Sequence, residues 1–486
     1  MILKKTIITG LLILSLGFTA LGQNAQSGAP WSLEECINYA FANNLTIRNN
    51  ELDKLNNEIA LKESKFAMLP NLSAGGQLGK SFGRTIDPVT NEFISTDFLS
   101  GGVSANSSVT LSSGGRIRNR IKQNELNLRV SDFDLESAKN DIGLTVATNF
   151  LNVLLNREQL ENNKFQLQTS QEQLDRTKKL VEAGSLPISN QLDLESQVAS
   201  NEVNVVNAEN ALNLALLALK QSMQMPADEN LTIEAPSIEV SDVLMISQSP
   251  GEIYNIALNN QPQIKSADLG IESSDVGIKI AKGAFYPSLF LNGSLSTNYS
   301  DRARQFLGTQ AVTVPSQQIG TVETSGGRVF SLPSTREISV FSEDYSLGDQ
   351  FNDNLGQSIS LSLNIPIFSR MSNSAGLQRA QINRQRAEIT ALNTRNQLRQ
   401  NIETAYTNAL ASFKSYEATQ KRVAALQESF RATEQQYSVG AANFVDYQVA
   451  SNNLFAARAD LVRTKYEYIF RTKILDFYLG NPITLK

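Results

Sequence analysis

"SISLSLNIPIF" (residues 358–368) alternates almost without fault. Ile359, Leu361, Leu363, Ile365 and Ile367 fall on one parity, and Ser358, Ser360, Ser362 and Asn364 on the other. A period of two puts successive side chains on opposite sides of an extended chain, so the stretch predicts a strand with one apolar and one polar face. Most of the sequence around it reads as long helix rich in Gln and Asn. The apolar face of so regular a strand needs a partner, and the helices do not obviously supply one.

Three further stretches read as strands: 71–83, 102–113 and 288–300. In "GVSANSSVTLSS" (102–113), Val103, Ala105, Val109 and Leu111 share one parity. With 357–368 this makes four, each about 11 residues long, the length a tilted membrane strand requires. Inside a bilayer every backbone amide must be paired, so an open four-stranded sheet does not survive there alone. Barrels take about eight strands or more, so two chains would supply eight and three would supply twelve. A soluble β-sandwich alternates in the same way. The very long flanking helices and the amino-terminal segment favour the membrane strand, with apolar faces toward lipid and Ser/Asn faces toward a wet lumen.

The chain repeats itself. "CINYAFANNLTIR" (36–48) aligns with "IYNIALNNQPQIK" (253–265), and with the same offset Pro70 meets Pro287. "EAGSLPIS" around Gly184 matches "SVGAANFV" around Gly440 at a larger offset, so the second copy gained residues between these landmarks. The Ser-, Gly-, Gln- and Thr-rich stretch 302–354 is the place, too long for an ordinary connection. Each copy reads helix, strand, loop, strand, long helix, turn, long helix. The first copy (31–225) has a helix from about Ser32 to the corner at Pro70, and long helices over 116–181 and 187–223. Residues 226–249 join the copies. The second copy (250–480) has a loop over 301–356 and long helices over 373–438 and 443–479. Between Arg116 and Val181 there is no proline, and apolar residues recur three and four apart, as in Ile142, Val146, Phe150, Val153 and Leu154. A helix of that length reaches roughly 100 Å.

Residues 1–23 have a basic start at Lys4 and Lys5, an apolar stretch from Ile7 to Ala20 and small residues near "TALGQ". That pattern predicts a secretory signal peptide. No cysteine lies near the cleavage region, which argues against a lipid-anchored amino terminus. The formal net charge of the 486 residues is −5, a mild acidity that argues against nucleic acid as a partner. After the signal segment the longest apolar run is "ALNLALLAL" (211–219), which contains an Asn, so a membrane is entered by strands or not at all. The single cysteine, Cys36, sits in an apolar-spaced helical run and reads as a small buried residue. The sequence has no histidine, which removes Ser-His-Asp triads, Cys-His pairs and His-ligated metals. "SSGGR" lacks the Gly-Lys-Ser/Thr ending of a phosphate loop. No enzyme activity, metal or cofactor is expected. The basic cluster Arg116, Arg118, Arg120 and Lys122 follows a strand and reads either as a solvated face or as a contact for anionic headgroups.

The duplicated helix–strand–strand–helix plan, "WSLEECINYAFANNLTI" at the start, proline at both helix-to-strand corners (Pro70, Pro287), "SSGGRIRNRIKQNE" after the second strand and the glycine breaks at Gly184 and Gly440 together resemble the TolC-like outer-membrane efflux proteins, over about 31–480. The resemblance implies a homotrimer: a twelve-stranded transmembrane β-barrel, four strands per chain, continued by a periplasmic α-helical barrel. It implies an outer-membrane location in a Gram-negative bacterium. The implied role is a passive exit duct for efflux or type I secretion, docking to a periplasmic adaptor and an inner-membrane transporter. The hairpin tips at Gly184 and Gly440 would be the adaptor contacts.

The family's second hairpin tip often carries Tyr, Gly, an Arg and two Asp. "YSVGAANFVDYQV" matches it at Tyr437, Val439, Gly440 and Asp446, and departs at Ala442, where the Arg would be, and at Val449, where the second acid would be. Tyr437 and Asp446 are therefore the candidate aperture residues, with Tyr437 alternatively a packed residue and Asp446 alternatively an acid answering a helix dipole. Their counterparts in the first copy are Val181 and Asn190, so the two tips are not equivalent. A membrane-anchored coiled-coil adhesin displaying the 302–354 segment is the competing reading. Duplication of the strand pair favours the duct, since a simple stalk needs no second pair.

Overall fold

The computed structural model describes residues 30–234, 248–314, 325 and 334–481. The expected signal segment, and residues 235–247 of the joining segment, lie outside the described residues. The first copy runs α1 (Leu33–Asn43), α2 (Leu45–Phe66), β1 (Asn71–Ser81), β2 (Thr85–Ile86), β3 (Phe93–Ile94), β4 (Phe98–Ser113), α3 (Arg116–Glu182) and α4 (Ile188–Met223). The second runs α5 (Pro250–Asn260), α6 (Pro262–Gly283), β5 (Ser288–Ser300), β6 (Gln305–Val314), β7 (Ser334–Ser342), α7 (Leu347–Asp353), β8 (Gly356–Asn364), α8 (Ser372–Ser438) and α9 (Phe444–Leu479). The copies agree residue for residue in helix length: α1 and α5 have 11 residues, α2 and α6 have 22, α3 and α8 have 67, and α4 and α9 have 36.

Local chemistry explains the shared boundaries. Ser32 and Ser249 each build a capping box, accepting from the amide of Glu35 or Glu252, whose carboxylate accepts in return from the serine amide at 2.7 Å. The single helix expected from Ser32 to the proline corner is in fact two. Asn44 and Gln261 leave helical geometry at ψ 124° in both copies. At Gln261 the following Pro262 forces the break. Asn44 has no proline after it, and its side-chain oxygen caps the next helix by accepting from the Thr46 amide at 2.9 Å.

The strand-to-helix turns also agree. Gly114 and Gly115 take φ of 61° and 78°, and Arg370 and Met371 take 46° and 67°. The same left-handed pair of residues thus feeds α3 from glycines and α8 from side-chain-bearing residues, at a cost of roughly 1–2 kcal/mol per residue.

The chain divides into two units, one of residues up to 53, 132–266 and from 392 onward, the other of residues 54–131 and 267–391. In the first, the spacing read along α3 is realised as a core: Val146, Phe150, Val153 and Leu154 are buried with Cys36 and Ala40 of α1 and Leu219 and Met223 of α4. The second copy forms its counterpart from Ile253, Ala257, Ile264, Leu398, Ile402 and Leu475. Each fully buried aliphatic or Phe side chain contributes about 1.5–3 kcal/mol.

The second unit holds an antiparallel sheet in the order β1-β4-β5-β8. Its register gathers the parities into two faces. Leu72, Ala105, Leu295, Leu291 and Leu361 share the apolar face, and Asn106, Ser108, Asn292, Ser294 and Ser362 the polar one. On the polar face Ser108 Oγ donates to Asn292 Oδ1 at 2.8 Å and Asn292 Nδ2 donates to Ser362 Oγ at 3.1 Å. The apolar face is bare: Leu72 is 80% exposed and Ile359 84%. A bulge between Thr110 and Ser112 twists β4 where it approaches α3.

Three further expectations need correction. β4 begins at Phe98, not 102, because Phe98 to Gly101 continue the ladder with β1. β8 stops at Asn364: Pro366 offers no amide for a ladder, so Ile365, Ile367 and Phe368 extend beyond the paired region. The segment 301–356 is not a plain loop. It contains the antiparallel β6–β7 hairpin and the short helix α7, whose Gln350, 1% exposed, accepts from the Ser300 amide and donates to the Tyr345 carbonyl.

Candidate functional site

Both long hairpins turn on glycine. Gly184 and Gly440 have φ of 72° and 79°, and each closes a Schellman motif. Gly184 and Ser185 donate to the carbonyls of Val181 and Leu180, and Gly440 and Ala441 to those of Tyr437 and Gln436. The left-handed conformation makes these turns sharp, and glycine takes it without a Cβ penalty.

The turns restart differently. α9 begins at Asn443, whose Oδ1 accepts from the Asp446 amide at 2.9 Å. α4 begins after Pro187, which has no side chain to cap with, and the Asn190 amide donates to the Pro187 carbonyl at 3.1 Å. Asp446 is exposed in the first turn of its helix, where a carboxylate is favoured by the dipole.

Tyr437 is half-buried in an aromatic cluster. Its ring stacks on Tyr447 at 5.0 Å between centroids and 28° between planes, and lies 6.3 Å from Phe444. The Phe430 ring lies 5.5 Å from that of Tyr447. The cluster continues into the first hairpin through Leu174, Leu194 and Val198. Burial pushes the Tyr437 phenol above its usual range while Arg176 opposes the shift. Burial does the same at Tyr447, reinforced by Glu434 and opposed by Arg176. Both phenols are therefore neutral, packed groups.

Beside the aromatics runs a chain of polar side chains that the sequence did not announce. Gln448 Nε2 donates to Gln197 Oε1 at 3.1 Å, Gln197 Nε2 to Asn201 Oδ1 at 3.1 Å, and Asn201 Nδ2 to Ser170 Oγ at 2.6 Å. It links α9 to α4 to α3, with Asn201 only 2% exposed. One signal was available: Leu194, Val198 and Asn201 stand at i, i+4 and i+7, so an amide occupies a position on the buried stripe.

The structure thus brings Tyr437, Asp446 and Gly440 together, and places Gly184 at the tip of the other hairpin. Pro70 and Pro287 belong to the sheet-bearing unit. There each follows a helix whose last turns tighten into i to i−3 bonds, Leu69 to Phe66 at 2.9 Å and Tyr286 to Gly283 at 3.3 Å. Among the described residues no cluster of His, Cys, Asp or Glu could hold a metal ion, and no helix is long and apolar enough to cross a membrane.

Residues 37–223 and 253–481 match the outer membrane efflux protein family. Outer membrane protein TolC of Escherichia coli is 23% identical over 355 residues, 72% of this chain and 64% of that protein, just under two thirds of its length. TolC of Vibrio cholerae is 20% identical over 481 residues, 96% of this chain and 94% of that protein. A crystal structure of CusC superposes with a TM-score of 0.72 at 19% identity, covering 94% of this chain and 96% of that one. With nearly all of both copies matched, the chain belongs to the outer membrane efflux protein family, and its place is the outer membrane of a Gram-negative cell, extending into the periplasm.

Proposed function

We propose that the protein is a passive outer-membrane exit duct, formed by three copies, that passes cargo delivered by a periplasmic adaptor and an inner-membrane pump. One observation carries this reading: the four-stranded sheet has a polar face, a bare apolar face, and two edges, β1 and β8, that find no partner strand among the described residues. In lipid such edges must be paired, and pairing β8 of one copy with β1 of the next through three copies closes twelve strands. The Ser/Asn face then lines a wet lumen and Leu72, Leu361 and Ile359 meet acyl chains. The paired hairpins of three copies close the helical part, with Gly184 and Gly440 at the turns offered to the adaptor and Asp446, repeated three times, at the aperture. No chemistry is required of the protein; the pump supplies the energy.

The test has two arms. The purified protein in detergent should have the mass of a trimer and give stable conductance steps in a planar bilayer. Deletion of its gene should raise sensitivity to dyes, detergents or antibiotics, or block secretion. A monomer stable without detergent, or a deletion that leaves sensitivity and secretion unchanged but removes surface binding, overturns the duct in favour of an adhesin.

A further inference from the structure

We infer that the helix ends flanking the sheet form a cationic belt that binds anionic phospholipid headgroups in the leaflet nearest those ends, an inference that rests on the membrane reading above. Segments 62–70, 114–122 and 279–287, which lead into or out of the sheet, contain eight Lys or Arg and one acid, Glu63. Helix geometry divides these charges between two sides.

A cavity of about 430 Å³ is lined by Ser64, Arg116, Arg120, Ile280, Thr110 and Phe290, among others. Thr110 and Phe290 lie opposite each other on the parity of Ser362, the polar face of the sheet. At about 100° per residue, Lys62 and Lys65 on α2, Arg118 and Lys122 on α3, and Lys279 and Lys282 on α6 lie on the faces turned away from that cavity. That is the side of the bare apolar face. All six are exposed. Lys65 reaches Glu125 at 4.0 Å and Lys122 reaches Glu272 at 3.5 Å. Lys62, Arg118, Lys279 and Lys282 form no ion pair among the described residues.

A second observation marks the same level as a membrane–water boundary. Phe66, at the end of α2, is 68% exposed and Tyr286, at the end of α6, is 60% exposed. Aromatic rings of this kind settle at the headgroup layer, apolar body inward. Unpaired cations placed where an apolar sheet ends, beside such rings, complement phosphate-bearing headgroups that carry net negative charge. A zwitterionic headgroup offers them no net attraction.

The experiment uses the full chain reconstituted into nanodiscs of phosphatidylethanolamine containing a minor fraction of phosphatidylglycerol, and measures the lipid retained with the protein against the bulk ratio. The expected result is enrichment of phosphatidylglycerol by about threefold or more, abolished by salt near 0.5 M, where screening is short-ranged. The combined variant Lys62→Gln, Arg118→Gln, Lys279→Gln, Lys282→Gln should return the retained lipid to the bulk ratio. Retention at the bulk ratio by the wild type overturns the belt, as does enrichment that survives in a variant with native circular dichroism. Should the variant fail to fold, enrichment in the wild type that is insensitive to salt overturns it instead. Failure of the wild type to enter these nanodiscs at all sinks the membrane reading, and this inference with it. Entry without enrichment sinks this inference alone.

Discussion

The side-chain amide of Gln448 donates to the side-chain oxygen of Gln197 at 3.1 Å, tying the hairpin of the second copy to that of the first, eight residues past Gly440 and thirteen past Gly184. Asn201 and Ser170 carry the tie into α3. Asn201→Ala removes two bonds of the chain, the one from half-buried Gln197 and the one to half-buried Ser170, at a cost of about 1–3 kcal/mol, whereas Gln448→Ala removes one at about 0.5–1.5 kcal/mol. Hydrogen exchange at residues 180–190 and 436–447 should quicken in both variants, more in the first. Unchanged exchange in Asn201→Ala would show that the chain does not hold the tips.

Asp446 and Asn443 can be separated by substitution. Asn443→Ala deletes the helix cap, costs about 1 kcal/mol, and should leave ion preference alone. Asp446→Asn keeps the cap, because the backbone amide is the donor, and should weaken cation preference and block by multivalent cations in planar-bilayer recordings. Identical currents from Asp446→Asn and wild type would remove Asp446 from the aperture.

Left-handed positions without glycine are a reserve of stability. Gln224, φ 61°, ends α4 where Gly480, φ 89°, ends α9, and Arg370 and Met371 stand where the first copy has Gly114 and Gly115. Gln224→Gly, Arg370→Gly and Met371→Gly should each stabilise by about 0.5–1 kcal/mol, read as a higher temperature of dissociation. Gly114→Ala should do the opposite, since a Cβ there would lie 2.5 Å from the Gly283 carbonyl oxygen and 2.7 Å from Tyr286 Cβ.

Cys36 is wholly buried, and burial, with Glu35 adding to it, pushes its thiol up to about 12. At pH 8 the folded protein offers no thiolate, so iodoacetamide should label Cys36 only after unfolding, when the thiol returns to about 8.5. Labelling of the native protein at a free-thiol rate would contradict the core described around α1.

Replacing 305–342 with a short Gly/Ser linker should leave oligomers intact, because the β6–β7 hairpin pairs only with itself among the described strands. Gln350→Ala should be worse than the whole replacement: it strips the partner of the Ser300 amide at the end of β5. Loss of oligomers in the linker variant, with Gln350→Ala unaffected, would reverse that assignment.

What was legible in the sequence was periodic. The alternation of 358–364 sorted its side chains onto the two faces of the sheet, although every residue of β8 is exposed, and the three-four spacing of Val146, Phe150, Val153 and Leu154 became a buried stripe. The Pro70 and Pro287 corners were legible because proline lacks a donor. The break at Asn44 was not, since a side-chain oxygen capping two residues ahead leaves no mark in composition; only its counterpart before Pro262 hints at it. The tip was legible in part. Tyr437 and Asp446 follow from the pattern, but the Gln448–Gln197–Asn201–Ser170 chain joins residues up to 278 positions apart (448 − 170), and amides in a Gln- and Asn-rich helix look alike until their neighbours are known. The β6–β7 hairpin was hidden by a Ser/Thr/Gly-rich composition shared by loops and solvated strands.

The matched lengths of 67 and 36 residues in both copies have a bearing on how such chains can change. One inserted residue swings everything downstream of it by about 100°, turning buried stripes to solvent and moving one bend out of step with the other. Insertions and deletions should therefore travel in sets, altering the descending and ascending arms of both hairpins together and in steps close to whole turns, about 11 or 18 residues. A designer wishing to extend this protein has four edits to make, not one.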